Sequence, residues 1–151
     1  MFDILFPALG ETIYMSFVST FFAVVIGFFL AIILIFTSKD GLKENLKVYL
    51  ILDVVINTLR SFPFIILMIV LFPLTKFLIG KSIGTSAAII PLTIGAAPFI
   101  ARLIESAFKE VDKGVIEAAK SFGASDFQIV FKVMLVEALP SIISAITLTL
   151  I

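Results

Sequence analysis

The sequence predicts an all-α integral membrane protein, and two observations lead to this prediction. Hydrophobic residues make up 61% of the chain, and the mean hydropathy of +1.24 lies well above the balance of a soluble domain. The apolar residues also fall in long runs without Asp, Glu, Lys or Arg, as in helices that cross a bilayer. We therefore expect one membrane domain over residues 1–151.

The first two spans are predicted at residues 12–38 and 54–75. The first is an uncharged run long enough to cross about 30 Å of hydrocarbon as a helix. It lacks a basic segment before it and a small-residue cleavage site, so we interpret it as a retained span rather than a signal peptide. The second has a short uncharged core and takes its remaining length from the residues that precede Arg60.

The last two spans are predicted at residues 82–104 and 135–151, with a polar loop at 109–132 between them. The fourth run reaches the last residue without a charge or a turn, so we expect this span to be cut off at residue 151 and the chain to be part of a longer protein. Pro63, Pro73, Pro91 and Pro98 predict kinks or helix-packing features in these segments. Small residues at 95–97 predict a surface where another helix packs closely.

The distribution of Lys and Arg predicts the orientation of the spans. Acidic and basic residues balance to a net charge of zero, which argues against a nucleic-acid partner. Nine of the eleven basic residues flank the first and third connections, and only Lys76 and Lys81 flank the second. Because positively charged loops stay in the cytoplasm, we expect the amino terminus outside and the loop 109–132 inside.

The residue types present exclude several chemistries. The chain has no Cys and no His, so thiolate and imidazole catalysis and a zinc site of the usual ligands are not expected. The Gly80-Lys81-Ser82 segment lacks the earlier glycine of a phosphate-binding loop. We therefore predict no catalytic, cofactor-binding or metal-binding residue on this chain, and no substrate-contacting motif is recognisable.

Two short helices are predicted to meet at a sharp corner inside the polar loop. Asp112 is a candidate N-cap of the first helix, and Gly123 lies where a left-handed residue would end it. Ser125 and Gln128 have the spacing of a capping box that starts the second helix. The alanines at 118, 119 and 124 would let a partner approach the backbone. Periodicity alone equally allows an amphipathic helix lying on lipid headgroups.

Charged residues near the ends of the spans have structural interpretations. Arg60 and Arg102 are predicted to reach the membrane interface as topology anchors. An ion pair between Arg102 and Glu105, three residues along a helix, is the alternative. Asp53 and Asn57, one helical turn apart, are predicted to form a hydrogen-bonded pair.

The polar loop resembles the EAA loop of ABC-importer permeases. The match consists of Glu117-Ala118-Ala119, Gly123, Ile129 and Leu139-Pro140. Two further blocks, RSFPFIIL at 60–67 and IIPLTIGAAPFIAR at 89–102, resemble the methionine-importer branch of that family. The resemblance implies a type I ABC-importer transmembrane domain with about five spans when complete, in the bacterial cytoplasmic (inner) membrane.

The same resemblance implies a division of labour between subunits. Glu117, Ala118, Ala119, Gly123, Ala124 and Ser125 would contact a separate cytoplasmic ATPase, and Leu139 and Pro140 would place the following span. The complex would contain two permeases, two ATPases that bind ATP and Mg, and an external binding lipoprotein or soluble binding protein. The chain itself would be a transporter subunit and not an enzyme, and its substrate would be methionine, as the L-form, the D-form or both. An EAA-loop permease for another amino acid or peptide, and a pore or scaffold that needs no ATPase, are the alternatives.

Overall fold

The computed structural model describes residues 2–150, with side chains from residue 4 onward. Met1 and Ile151, which the predicted domain and the predicted fourth span include, lie outside the described residues. The described part is helical throughout and contains no strand. In chain order its helices are α1 (Phe2–Thr37), α2 (Leu46–Ser61), α3 (Phe64–Ile79), α4 (Thr85–Lys109), α5 (Lys113–Ser121), α6 (Asp126–Gln128), a π-helix (Ile129–Met134) and α7 (Leu135–Leu150).

Helix α1 is longer than the uncharged run in the sequence, because it already begins at Phe2 and includes Glu11. It ends in a tight turn. The Gly41 N–H donates to the Ser38 carbonyl at 2.9 Å, and the Lys43 N–H donates to the Phe36 carbonyl at 3.0 Å. A Cβ on Gly41 would lie 2.6 Å from the Ile35 carbonyl oxygen, so only glycine fits in this turn.

The residues predicted as the second span lie in two helices that meet at a bend of 110°. The bend falls at Phe62 and Pro63, which separate α2 from α3. Proline has no N–H to continue a helix, and it favours an extended backbone at the residue before it. Phe62 accordingly has φ −71° and ψ 132°. Pro63, for which the sequence predicts a kink or a packing feature, thus lies at a sharp corner between two helices. Pro73, Pro91 and Pro98 lie within continuous helices.

Helices α1 and α4 run parallel and form the centre of the structure. The Thr85 hydroxyl donates to the Glu11 carboxylate at 3.0 Å, and the Thr93 hydroxyl donates to the Ser19 carbonyl at 3.4 Å. Both hydrogen bonds join residues that are 74 positions apart, so the two helices keep the same register over this length. Successive membrane spans run in opposite directions, so the first and third predicted spans are expected to be parallel, as α1 and α4 are.

The core lies where α4 packs against α1 and α7. Its fully buried large side chains include Ile100, Ile104, Phe108, Ile129 and Val130. The predicted small-residue surface at 95–97 is a packing surface: Gly95 faces the Phe64 ring, with 3.4 Å between an added Cβ and the ring carbons. Ala97 is buried in the core beside α1.

Three helical segments of the described chain are long and apolar enough to cross a membrane: Ile4–Thr37, Thr85–Lys109 and Asp126–Leu150. The bent pair of α2 and α3 gives a fourth if it is counted as one span. Many large apolar side chains on these helices are exposed, among them Phe17, Phe21, Phe29, Ile69 and Val70. A bilayer supplies the apolar surroundings that such surfaces need.

Candidate functional site

The polar corner after α4 is built from local hydrogen bonds, as the sequence predicts. The Asp112 carboxylate accepts from the Gly114 N–H at 2.7 Å and caps the start of α5. At the other end, Gly123 adopts φ 80°, in the left-handed region. The Ala124 N–H donates to the Ala119 carbonyl at 3.1 Å, which closes the last turn of α5.

The second helix of the corner begins at once with a complete capping box. The Gln128 N–H donates to the Ser125 hydroxyl at 3.3 Å, and the Ser125 N–H donates to the Gln128 side-chain oxygen at 3.0 Å. Both reciprocal bonds of the predicted motif are therefore formed. The turn between α5 and α6 is specified at each end, so the direction of α5 relative to the bundle is defined.

The residues of the predicted coupling loop divide between two faces. Glu117, Ala118, Gly123 and Ser125 are exposed, whereas Ala119 and Ala124 are half-buried and pack against the core. Phe122 is 92% exposed. An exposed aromatic side chain at the end of a short helix that also exposes a carboxylate and a small residue makes a surface suited to a protein partner. That these residues contact an ATPase stays a prediction.

Leu139 and Pro140 lie in α7, on its exposed side. Between them and the corner lies the π-helix, whose Ile129, Val130 and Met134 are buried in the core. Sequence reasoning did not predict the π-helix, and no residue type in this segment signals it. Helical segments with this wider turn are often found at functional sites. The role of Leu139 and Pro140 in placing the span stays a prediction.

A charge network joins α2 to α4 and was only half predicted. Arg102 donates to Glu105 at 2.7 Å, so the ion pair offered as the alternative to interface anchoring is formed. The predicted hydrogen bond from the Asn57 amide to the Asp53 carboxylate is also formed, at 3.2 Å. Arg102 additionally forms an ion pair with Asp53. Sequence reasoning missed this contact because the two residues are 49 positions apart.

Glu105 is the centre of this network and is only 2% exposed. Besides Arg102, its carboxylate accepts hydrogen bonds from the Lys109 ammonium at 2.6 Å and the Tyr49 hydroxyl at 3.0 Å. Glu105 lies one helical turn before the end of α4, and its burial is set by the packing of α2 against α4, which no local sequence signal indicates. A buried carboxylate is tolerated here because two cations and a hydroxyl satisfy it.

The same part of α2 borders an open polar groove of about 450 Å³. Asp53, Asn57, Thr58 and Ser61 line it, together with Val54 and Phe62. Arg60 lies outside this groove and carries its guanidinium 6.0 Å from the centroid of the Phe99 ring. Among the residues from 4 to 150, no cluster of three or more acidic side chains has a metal-binding arrangement.

Comparison with known proteins identifies the family of this helical arrangement. The model of the family described as "Binding-protein-dependent transport system inner membrane component" matches residues 23–151. The chain belongs to this family. The resemblance to importer permeases that the EAA segment indicates is thereby confirmed, as is the prediction of an all-helical membrane protein.

Individual members of the family support the same conclusion. A probable D-methionine transport system permease protein MetI of Vibrio cholerae is 49% identical over 149 residues, which are 99% of this chain and 66% of the relative. The D-methionine transport system permease protein MetI of Escherichia coli K12 is 48% identical over 93% of this chain and 65% of its own length. The chain thus spans slightly less than two thirds of the length of these two relatives.

A solved structure of a family member has the same fold. In the inward-facing structure of the MetNI methionine ABC transporter, native crystal form, one chain superposes with a TM-score of 0.96 at 46% sequence identity. The match covers 99% of this chain and 69% of that one. The bent α2 and α3, the parallel α1 and α4, and the corner at α5 thus belong to an inner membrane component with a known transporter architecture.

Proposed function

We propose that this chain is the membrane-spanning permease subunit of an ATP-driven importer, and that it couples transport to a separate ATPase through α5. The observation that carries the proposal is the exposed Glu117 and Ala118 on a corner whose two ends are both capped. A fixed projection transmits a partner's movement to the bundle, because it does not deform when it is pushed. The residues of this projection match the EAA loop position by position.

The proposed assembly contains two copies of the permease, two cytoplasmic ATPases that bind ATP and Mg, and an external binding protein. Relatives with 48–49% identity are named D-methionine permeases, which supports methionine as the transported substrate. The basic connections support an orientation with α5 in the cytoplasm and the amino terminus outside.

Co-purification tests the coupling role of α5. The full-length permease is solubilised with its ATPase partner, and the wild type is compared with Glu117→Arg and with Glu137→Arg as the matched control. Glu137 is exposed on α7 and carries the same charge, but it lies outside the corner. We expect the wild type and the control to retain the ATPase in equal numbers and Glu117→Arg to lose it. Absence of an ATPase from the wild type would favour a self-sufficient pore or scaffold.

Reconstituted uptake tests the substrate. Proteoliposomes that contain the permease, the ATPase and the binding protein are supplied with radiolabelled L- or D-methionine, with and without ATP inside. We expect ATP-dependent accumulation that an excess of unlabelled methionine abolishes. Competition by a different amino acid or a short peptide, with no competition by methionine, would assign the permease to that substrate and leave the coupling role of α5 intact.

A further inference from the structure

A cavity of about 260 Å³ opens between the end of α1, the end of α4 and the inner face of α5. Four lysines line it: Lys39, Lys109, Lys113 and Lys120. Its floor is apolar and includes Phe108 and Met134, which are buried in the core. The cavity is separate from the polar groove of α2 and from the exposed face of α5 described above.

The lysines are carried by backbone that is held in place. Lys39 belongs to the turn that follows α1, where the Gly41 N–H donates to the Ser38 carbonyl and the Lys43 N–H donates to the Phe36 carbonyl in the last turn of that helix. Lys113 and Lys120 lie seven residues apart on α5, which is two helical turns, so they share one face. Ile116, between them, lines the same cavity. Three separate segments therefore contribute lysines to the lining of one cavity.

The positive charge in this cavity is only partly neutralised by the protein. Lys109 is paired with Glu105 at 2.6 Å. Lys39, Lys113 and Lys120 form no ion pair with any residue that the structure describes, and Asp40 is the one acidic residue on the described lining. Like charges that converge on one cavity repel each other, and a bound anion removes that cost.

The position of the cavity indicates which anion is available. The apolar stretch of α1 ends at Thr37 and that of α4 ends at Lys109, so the cavity lies at the depth of the lipid headgroups. Basic pockets between membrane helices at this depth bind anionic headgroups. We propose that the cavity binds a phosphate group, supplied by an anionic phospholipid or by free phosphate, and that this phosphate ties α5 to the ends of α1 and α4.

Lipid retention by the full-length permease tests the proposal, with native mass spectrometry as the readout. Protein in detergent is titrated with dioleoyl-phosphatidylglycerol or dioleoyl-phosphatidylcholine, and retained lipid is counted. The test variant combines Lys39→Gln, Lys113→Gln and Lys120→Gln. The control combines Lys43→Gln, Lys47→Gln and Lys132→Gln, which remove the same charge from exposed positions outside the cavity.

We expect the wild type and the control to retain phosphatidylglycerol in preference to phosphatidylcholine. The test variant should lose this preference by about tenfold or more, because each lysine near an anionic headgroup contributes on the order of a fivefold change in binding. Equal loss in the control, or no headgroup preference in the wild type, would overturn the proposal. Lys39→Gln alone, which leaves α5 unchanged, should weaken retention about fivefold. A normal melting curve for each variant excludes misfolding.

A second arm distinguishes the two sources of phosphate. Binding of inorganic phosphate to the delipidated permease is measured by calorimetry at constant ionic strength, with chloride as the reference anion. Phosphatidylglycerol retention that persists in excess phosphate assigns the site to the lipid. Saturable phosphate binding that displaces the lipid, and that the test variant lacks, assigns it to free phosphate.

Discussion

Gly27 of α1 lies directly against Ile100 of α4. A Cβ placed on the glycine would be 2.8 Å from the Ile100 Cγ2 atom and 2.9 Å from the Ala97 carbonyl oxygen. Both distances are shorter than van der Waals contact, and the carbonyl belongs to the α4 backbone, which cannot give way as the end of a flexible side chain can. The two central helices therefore approach as closely as a glycine allows, which is a common way to pack helices in membranes.

Gly27→Ala should lower the stability of the bundle. The added methyl group must push α1 away from α4, and overpacking of this kind costs about 1–3 kcal/mol. Gly10→Ala is the matched control, because a Cβ on Gly10 meets nothing within 4 Å. We expect a lower melting temperature in detergent, followed by circular dichroism, for Gly27→Ala alone. Equal melting temperatures for the two variants would show that the close approach is not a constraint.

Glu105→Gln should also destabilise the protein. The substitution keeps the shape of the side chain but removes the charge that Arg102 and Lys109 both contact. Loss of a charged hydrogen-bond acceptor at a buried position costs roughly 1–3 kcal/mol. Glu110→Gln serves as the control, since Glu110 is exposed and accepts one hydrogen bond, from Ser141 at 3.2 Å. Thermal unfolding that is unchanged in Glu105→Gln would contradict a stabilising role for the network.

Two neighbouring alanines of α5 should respond differently to enlargement. Ala118→Leu places bulk on an exposed position, so we expect an unchanged melting temperature and weaker retention of the ATPase under the proposed coupling role. Ala119→Leu overpacks the core contact and should lower the melting temperature, at a cost of about 1–3 kcal/mol. Each variant is the control of the other. A loss of stability in Ala118→Leu would mean that this face is packed within the permease.

Ser125→Ala should loosen the start of α6. The substitution removes one bond of the capping box, and loss of a helix cap costs about 1 kcal/mol. Hydrogen exchange measures this locally: the Gln128 amide should exchange several-fold faster. Ser121→Ala is the comparison, because its hydroxyl only donates to the Glu117 carbonyl within α5, at 3.0 Å. Unchanged exchange at Gln128 would indicate that the hydrogen bond does not hold the corner.

Local features of this protein were predictable from the sequence because their partners are close along the chain. The caps at Asp112 and Ser125, the left-handed Gly123 and the Arg102–Glu105 pair each depend on residues at most five positions apart. Residue type and spacing define such contacts almost completely. The presence of long apolar helices is likewise a property of single segments, whereas the division of the second predicted span into two helices is not.

Contacts between distant segments could not be predicted in this way. Asp53 meets Arg102 only because α2 turns back across α4, and nothing local to either residue indicates the other. The size of the bend at Pro63 likewise depends on how α3 packs against α4, since a proline marks a break without setting its angle. The lysine-lined cavity combines three segments whose charges, taken singly, look like ordinary membrane-interface residues.

The constant register of α1 and α4 has a mechanical consequence. To bend, a pair of parallel rods must slide past each other, and the contacts at Glu11, Ser19 and Gly27 oppose sliding at three depths. We therefore expect α1 and α4 to move as one rigid body. A displacement at their lysine-rich end would then produce a similar displacement at the opposite end. In the proposed importer, flexing is left to places where the helices are irregular. The corner at Pro63 and the π-helix after α6 are two such irregular places.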